Sequence, residues 1–339
     1  MSTYFGLDIG SSQIKVCKVF SMGDHFRLEK IGLATNSLAS LNFKSGRRQE
    51  LIDDIHRAMK GAGINERRVV VSVPETQVYA TVVPMPVMPE SEIASAIRWE
   101  AEQFVPVPIE EVELDYAVIR KPPKGARSEK MLIYVVAARK EDLEDWVDFL
   151  VEAGLEPIAL ENETVALART FAYLDGVSLI LNLGALSTSL SILDSGSLMF
   201  SHALEMGGVA MTRALAKSLS LELLQAEQYK TTYGLKGDQF EGKVREAILL
   251  VLDKIVDEAK KAVEFFANNH HKQVKRILLA GGGAYMPELG SFLTDKFPQI
   301  EVLVADPFLK AKTGKGDKVK LPELRAIYSV AVGLARRQF

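Results

Sequence analysis

Near the start of the chain, Asp8, Gly10, Ser11, Ser12 and Lys15 fall within eight positions. They bring together a carboxylate, a bare backbone position, two hydroxyls and a cation. The run before Asp8 is apolar over 4–7 and the run after Ser12 is apolar again over 14–20, so the turn joins two strands of a hairpin. That excludes the P-loop and the dinucleotide fingerprint, whose glycines open a helix. Such a turn can still hold phosphate. Gly10 lets the backbone approach an oxygen closely, successive N–H groups form an anion-binding concavity, and the serine hydroxyls add donors. Lys15 would place positive charge beside the phosphates, and Asp8 would face magnesium through water. The other reading of this stretch is an ordinary Gly-Ser turn.

A second copy weighs against that plainer reading. An apolar strand runs to Leu181, Asn182 and Gly184 make a turn with Ser187 and Thr188, and a second strand runs to Leu193. Asp194–Gly196 then turns into a third strand, as Gly23 and Asp24 do earlier. Gly10 and Gly184 stand 174 positions apart, which suggests two related halves facing one another. A phosphate chain held between two turns needs this duplication. Further on, an apolar strand over 276–280 feeds Gly281, Gly282 and Gly283, with Pro287 expected in the first turn of a helix. Three bare backbone positions let a flat ring, such as an adenine, lie close.

The rest of the composition bounds the function. The 339 residues predict two domains or more. With 47% hydrophobic and 25% charged residues the balance is that of a globular protein. A net charge of −3 gives no argument for nucleic acid. Cys17 is the single cysteine, so no internal disulfide forms. The first strand starts at once, leaving no room for a signal peptide, and no apolar run approaches the ~20 residues needed to span a bilayer. The expectation is a cytoplasmic protein that meets a membrane only through partners. Adjacent His270 and His271 cannot share one helix face, which argues against a metal site there.

The elements that must position these residues alternate. Strands over 26–33 and 68–73 flank a helix over 50–60 that ends at Gly61–Gly63. Four prolines between 74 and 89 then mark a break, followed by a helix from 91 that stops at 105–108, strands over 114–120 and 130–138, and a helix over 141–153. The basic loop 121–127 reads as a solvated hairpin tip. Helices are expected over 164–173, 210–219, 221–233 and 242–269, and a strand over 302–305. The loop 310–320 is basic. The small-residue helix over 328–335 is suited to close packing across the halves. The class is a mixed α/β sheet protein.

This order of parts resembles the actin-like ATPase superfamily, which includes actin, sugar kinases and the cell-division protein FtsA. Asp8, Gly10, Ser11, Ser12 and Lys15 look like its first phosphate motif. Asn182, Gly184, Ser187 and Thr188 look like the second, and Gly281–Gly283 like its adenosine motif. The resemblance implies an actin-like (ribonuclease H-like) duplicated α/β fold, two lobes around a nucleotide cleft. Subdomain 1A would take 1–83 with 160–176 and 323–339, an inserted FtsA-like 1C subdomain 84–159, subdomain 2A 177–207 and 273–322, and subdomain 2B 208–272.

Within the superfamily the chain resembles the PilM family of type IV pilus assembly. Four stretches carry this: 104–116, 196–208, 226–230, and the glycine triplet followed by Pro287. The first is the most specific, since sugar kinases have nothing like it. The family implies ATP bound with magnesium in the cleft, with Gly207, Gly208, Glu227 and Lys230 lining the adenosine pocket. It also implies a groove for the N-terminal cytoplasmic tail of the inner-membrane partner PilN. Other pilus assembly platform proteins and motor ATPases are further partner classes. Position 182 departs from the superfamily, which usually has Asp, so magnesium would rest on Asp8 and binding is expected over efficient hydrolysis. Glu163, opening the connecting helix, is the candidate to orient water; alternatively it is an acidic residue favoured by the helix dipole.

The leading expectation is a nucleotide-binding scaffold at the inner face of the cytoplasmic membrane. A small-molecule kinase and a filament former like actin or FtsA are the alternatives, and type II secretion uses a related module. The kinase needs a carboxylate general base at the end of a first-half strand, and none stands out in the sequence.

Overall fold

The computed structural model describes residues 4–37, 47–122, 130–312 and 322–339. The loop 121–127 therefore lies largely outside the described residues, as does most of 310–320.

The chain begins as an antiparallel meander of β1 (Phe5–Ile9), β2 (Gln13–Met22) and β3 (His25–Thr35). It passes through α1 (Arg48–Ala62), which stops at the left-handed Gly63, and returns as β4 (Arg68–Val73) parallel to β1. Then β5 (Val78–Met85), α2 (Glu90–Ala101), β6 (Val112–Arg120) and β7 (Met131–Arg139) make a separate three-stranded sheet, order β5-β7-β6. Next, α3 (Lys140–Glu152) leads to β8 (Glu156–Asn162), which joins β4 in parallel and completes the order β3-β2-β1-β4-β8.

The second half repeats the plan. It comprises α4 (Glu163–Thr170), β9 (Val177–Leu183), β10 (Thr188–Asp194), β11 (Ser197–Leu204), α5 (Gly208–Leu219), α6 (Leu223–Tyr233), α7 (Lys243–His270), β12 (Arg276–Ala280), α8 (Leu289–Lys296), β13 (Glu301–Val304) and α9 (Ser329–Ala335). Its sheet has the order β11-β10-β9-β12-β13, the first sheet again. Even the irregularity is repeated. The β2–β3 ladder shifts register between Lys18 and Val19, and the β10–β11 ladder between Ile192 and Leu193.

Two strands depart from the sequence pattern. β5 contains Pro84, which reads as a break, but β5 is an edge strand paired only with β7, where a missing N–H is tolerated. β8 is a polar edge strand with Pro157 near its start, and its pairing with β4 shifts register at Val69/Val70. Of the stretch 84–159, α3 packs on the first sheet and the start of β8 joins it. Trp146, Phe149 and Leu150 of α3 pack with Phe5, Leu7, Val69 and Val71. Pro287 also differs from expectation: it precedes the helix, because α8 starts at Leu289 behind Glu288.

The small residues of α9 do bridge the halves. Ala331, Val332 and Ala335 pack on Cys17, Val19 and Phe26 of the first sheet. Val330 and Leu334 enter the large cluster built around the second. The approach to α4 and β1 is close enough that a Cβ on Gly333 would lie 1.9 Å from the Ala166 carbonyl oxygen, and one on Gly6 2.5 Å from that of Ala331.

Candidate functional site

The two glycine hairpins open onto a single cleft of about 1000 Å³ between the halves. Each turn is closed by the same backbone bond: the Gly10 N–H donates to the Gln13 carbonyl and the Gly184 N–H to the Ser187 carbonyl, both at 3.0 Å. Glycine is needed at both. An added Cβ would lie 2.9 Å from the Gln13 oxygen in one turn and 2.8 Å from the Ser187 oxygen in the other.

Asp8 is buried near the end of β1, directly opposite Lys15 on β2. The Lys15 Nζ lies 3.0 Å from the Asp8 Oδ2, and the Ser72 hydroxyl donates to Oδ1 at 3.3 Å. Asn182 occupies the equivalent place on β9 and donates from Nδ2 to the Glu163 Oε2 at 3.4 Å. Glu163 stands at the start of α4, which Asn162 caps by accepting the Val165 N–H. Burial pushes the Glu163 carboxyl up to about 8, with the negative Asp8 and Glu75 adding to the rise and Lys15 opposing it. It therefore keeps its proton near neutrality.

Across the cleft, Gly281, Gly282 and Gly283 form the turn after β12. Gly281 has a left-handed φ of 77°, and a Cβ there would lie 2.6 Å from the Leu183 oxygen; one on Gly283 would meet the Leu183 Cβ at 2.6 Å. Gly282 faces open space, with no atom within 4 Å of such a Cβ. All three line the cleft, and Gly282 is the member of the triplet where a side chain would meet no neighbour.

Glu227 and Lys230 also line the cleft, but not as a loose surface pair. Lys230 is buried, and its Nζ donates to the Gly208 carbonyl at 2.9 Å, the Thr212 hydroxyl at 2.9 Å and the Glu227 Oε2 at 2.7 Å. An ammonium has three protons, so all are engaged within the protein. The Thr212 hydroxyl donates to the same Glu227 oxygen.

Of the residues singled out from the sequence, two stand behind the cleft wall. Thr188 is fully buried, its hydroxyl donating to the Met206 carbonyl at 2.6 Å. Gly207 packs against the hairpin, where a Cβ would meet the Gly184 oxygen at 2.6 Å. The others line it. Sequence reading missed Thr76, Gln77, Asp145, Tyr285 and Met286 on its walls, and the buried Glu75 behind them. Thr76 and Gln77 follow β4 at its C-terminal end, where open parallel sheets place ligands, and that was the available signal.

A second cavity of about 690 Å³ lies between the three-stranded sheet and the first sheet, with α4 and residues 336–338 completing its wall. Tyr116, Tyr134, Leu143, Glu161, Arg169 and Arg337 are among its lining residues. Glu161 is buried and receives two hydrogen bonds from Arg169, at 2.7 and 2.8 Å, and one from Arg337.

The duplicated architecture has solved counterparts. The chain is similar to the PilM–PilN type IV pilus biogenesis complex, with a TM-score of 0.83 and 29% identity over 98% of this chain and 97% of that one. It is also similar to MreB5 of Spiroplasma citri bound to AMPPNP, with a TM-score of 0.53 and 14% identity over 97% and 94% of the two chains. A curated relative, the ethanolamine utilization protein EutJ of Escherichia coli (strain K12), is 25% identical over 156 residues, 46% of this chain. The matched part spans about half of that relative's length, 51%. Two like sheets around one cleft make this the actin-like ATPase fold. Residues 6–339 match the family described as type IV pilus assembly protein PilM, and the chain belongs to that family.

Proposed function

We propose that this protein is an ATP-binding scaffold of type IV pilus assembly, whose cleft state sets how it docks the cytoplasmic tail of a PilN-like inner-membrane protein. The observation that carries the nucleotide reading is the pair of glycine turns, closed by the same bond, that reach one cleft from opposite halves. The phosphates would lie between Ser11 and Ser12 on one side and Gly184 and Ser187 on the other. Lys15 would exchange part of its contact with Asp8 for phosphate oxygens. Adenosine would lie along Gly282 with Glu227 beside it, and Lys230 would hold Glu227 in place.

Among the described residues no three His, Cys, Asp or Glu side chains converge on a metal position. Magnesium would therefore arrive with the nucleotide, held by phosphate oxygens and water with Asp8 as its protein carboxylate. That ion supplies charge neutralisation along the phosphates. With its carboxyl raised to about 8, most Glu163 side chains would hold a proton at neutrality and only a minority would be free to accept one, which favours binding over rapid turnover.

The partner reading draws on the solved PilM–PilN complex, to which the chain is similar, and on the second cavity. Its lining carries both charges, Arg169, Arg336 and Arg337 together with Glu113, Asp115 and Glu161, which suits an extended peptide with both polar and apolar side chains. No helix among the described residues is long and apolar enough to cross a membrane, so a membrane partner would supply attachment. The relay rests on the wall between the cavities. Pro74, Gln77, Asp142 and Glu163 face the cleft, while their sequence neighbours Val73, Val78, Leu143 and Asn162 face the groove. A shift of one residue's width is felt on both sides.

Calorimetric titration tests this, first with magnesium-ATP and then with a synthetic peptide from the cytoplasmic tail of the partner. Binding of both with little phosphate released is expected. A chain that takes neither sinks the proposal, and fast turnover without peptide affinity moves it to a kinase.

A further inference from the structure

The first glycine turn is held from behind by a residue outside every motif. Asn36, just past β3, is buried at 3% exposure. Its side-chain Nδ2 donates to the Gly10 carbonyl at 3.0 Å, and its backbone N–H donates to the Ser12 carbonyl at 3.0 Å. The Gly10 carbonyl and the Ser11 N–H belong to one planar trans peptide. Pinning the oxygen to Asn36 therefore aims the Ser11 N–H the opposite way, and Ser11 lines the cleft.

The second turn reaches the same arrangement by other means. There the Gly184 carbonyl accepts the Gly208 N–H at 2.9 Å and the Ala185 carbonyl accepts the Val209 N–H at 2.8 Å. The start of α5 thus does for the second turn what one amide side chain does for the first. Two unrelated devices that fix the equivalent carbonyls point to a requirement of the turn and not of the local fold. The clamp is itself anchored. Ser37 donates from its N–H to the Asp54 Oδ2 at 2.7 Å and from its hydroxyl to Oδ1 at 3.2 Å. Asp54 lies on α1 with no exposed surface.

We infer that Asn36 is a positioning residue that pre-orients the amides of the first turn for the polyphosphate of a nucleotide. This rests on the nucleotide reading above and deepens it. Orienting donors before the ligand arrives removes an ordering cost from binding. The benefit is confined to the phosphate end, because Asn36 is tied to Gly10 and Ser12 and the adenosine wall belongs to the other half. Removing the side chain should therefore weaken ligands in proportion to their phosphates.

The experiment titrates wild type and Asn36→Ala with ATP, ADP and adenosine in magnesium buffer and records melting temperatures alongside. Expected is a loss of about tenfold for ATP, less for ADP, and adenosine within twofold of wild type; tenfold corresponds to ~1.4 kcal/mol, near the worth of one hydrogen bond. If the alanine variant does not fold, Asn36→Ser, whose hydroxyl is too short to reach the Gly10 carbonyl, also removes the bond but stays polar, and the same series is run on it. Equal loss across all three ligands would make Asn36 merely structural and overturn the inference, as would unchanged ATP affinity. A wild-type chain that takes no ATP removes the nucleotide reading itself, and this role with it.

Discussion

Asp8 and Asn182 occupy the same register position of two hairpins, yet Asp8 faces Lys15 across its ladder and Asn182 faces Ser189. The backbone has been duplicated and the charge has not. In the first hairpin the ion pair at 3.0 Å places both signs beside the turn. In the second, the Ser189 hydroxyl is buried with no hydrogen-bond partner among the described residues, and Asn182 leans on Glu163. At the two turns the charge therefore comes from the first hairpin, and the second hairpin supplies neutral dipoles.

Lys15→Ala should accordingly lower ATP affinity by about ten- to a hundredfold, the range of one charge-assisted hydrogen bond. It should also lower the melting temperature of the ligand-free protein, since it strands Asp8 as a buried, uncompensated carboxylate. Asn182→Asp should act in the opposite sense on metal dependence. It adds a carboxylate where the proposed magnesium position would otherwise have Asp8 alone, so ATP affinity should rise more steeply with magnesium than in wild type. Titrations at several magnesium concentrations read both effects, and a flat response in Asn182→Asp would count against the shared metal position.

Glu163 makes the stability of the ligand-free protein depend on pH. Its carboxyl is raised from an ordinary 4.5 to about 8, burial being the largest cause. A carboxyl raised on folding binds protons more tightly in the native state, so its contribution is fully present below pH 4.5 and is lost as pH rises through 8. Glu163→Gln keeps the shape and removes the titration. The melting temperatures of variant and wild type should therefore nearly agree at pH 5 and separate by pH 9, with the variant more stable. A constant difference across that range would show that Glu163 titrates normally.

Much of the fold and of the cleft is legible in the amino-acid sequence, and the reasons for the gaps are physical. The hairpins are readable because Gly10 and Gly184 punctuate apolar runs at equal spacing, and α9 because Gly333 sits among alanines and valines. β5 is hidden because Pro84 normally ends a strand, and only the sheet order reveals that this edge tolerates it. Lys230 looks like a helix-surface partner of Glu227 because spacing cannot show that Gly208 and Thr212 close over it from α5. Asn36 lies 26 positions from Gly10, a long-range contact of a kind that no local pattern encodes.

Coupling between the two cavities should run through Glu75. This buried carboxyl, itself raised by burial, accepts the Thr164 N–H at 2.6 Å, and after burial its charge is a further cause that raises both Glu163 in the cleft and Tyr134 in the groove. If ATP changes the peptide's affinity, the peptide must change that of ATP by the same factor, typically fivefold or more. Glu75→Gln retains the oxygen that holds Thr164 and deletes the charge. The factor should then fall toward one, while each ligand alone binds within about threefold of wild type. Reciprocal titrations that return an undiminished factor would exclude Glu75 as the link.

Two glycines separate the roles of packing and of binding. Gly333→Ala forces α9 away from α4, because the new Cβ would lie 1.9 Å from the Ala166 oxygen. Overpacking of this sort costs about 1–3 kcal/mol, so the melting temperature should drop by several degrees, with both halves affected since α9 packs on each. Gly282→Ala meets no atom within 4 Å, and its melting temperature should match wild type. The proposed adenosine position runs along Gly282, so an added methyl group there should weaken adenosine and ATP by similar factors. That pattern is the reverse of the phosphate-graded loss at Asn36. Equal adenosine affinity in Gly282→Ala and wild type would place the base elsewhere in the cleft.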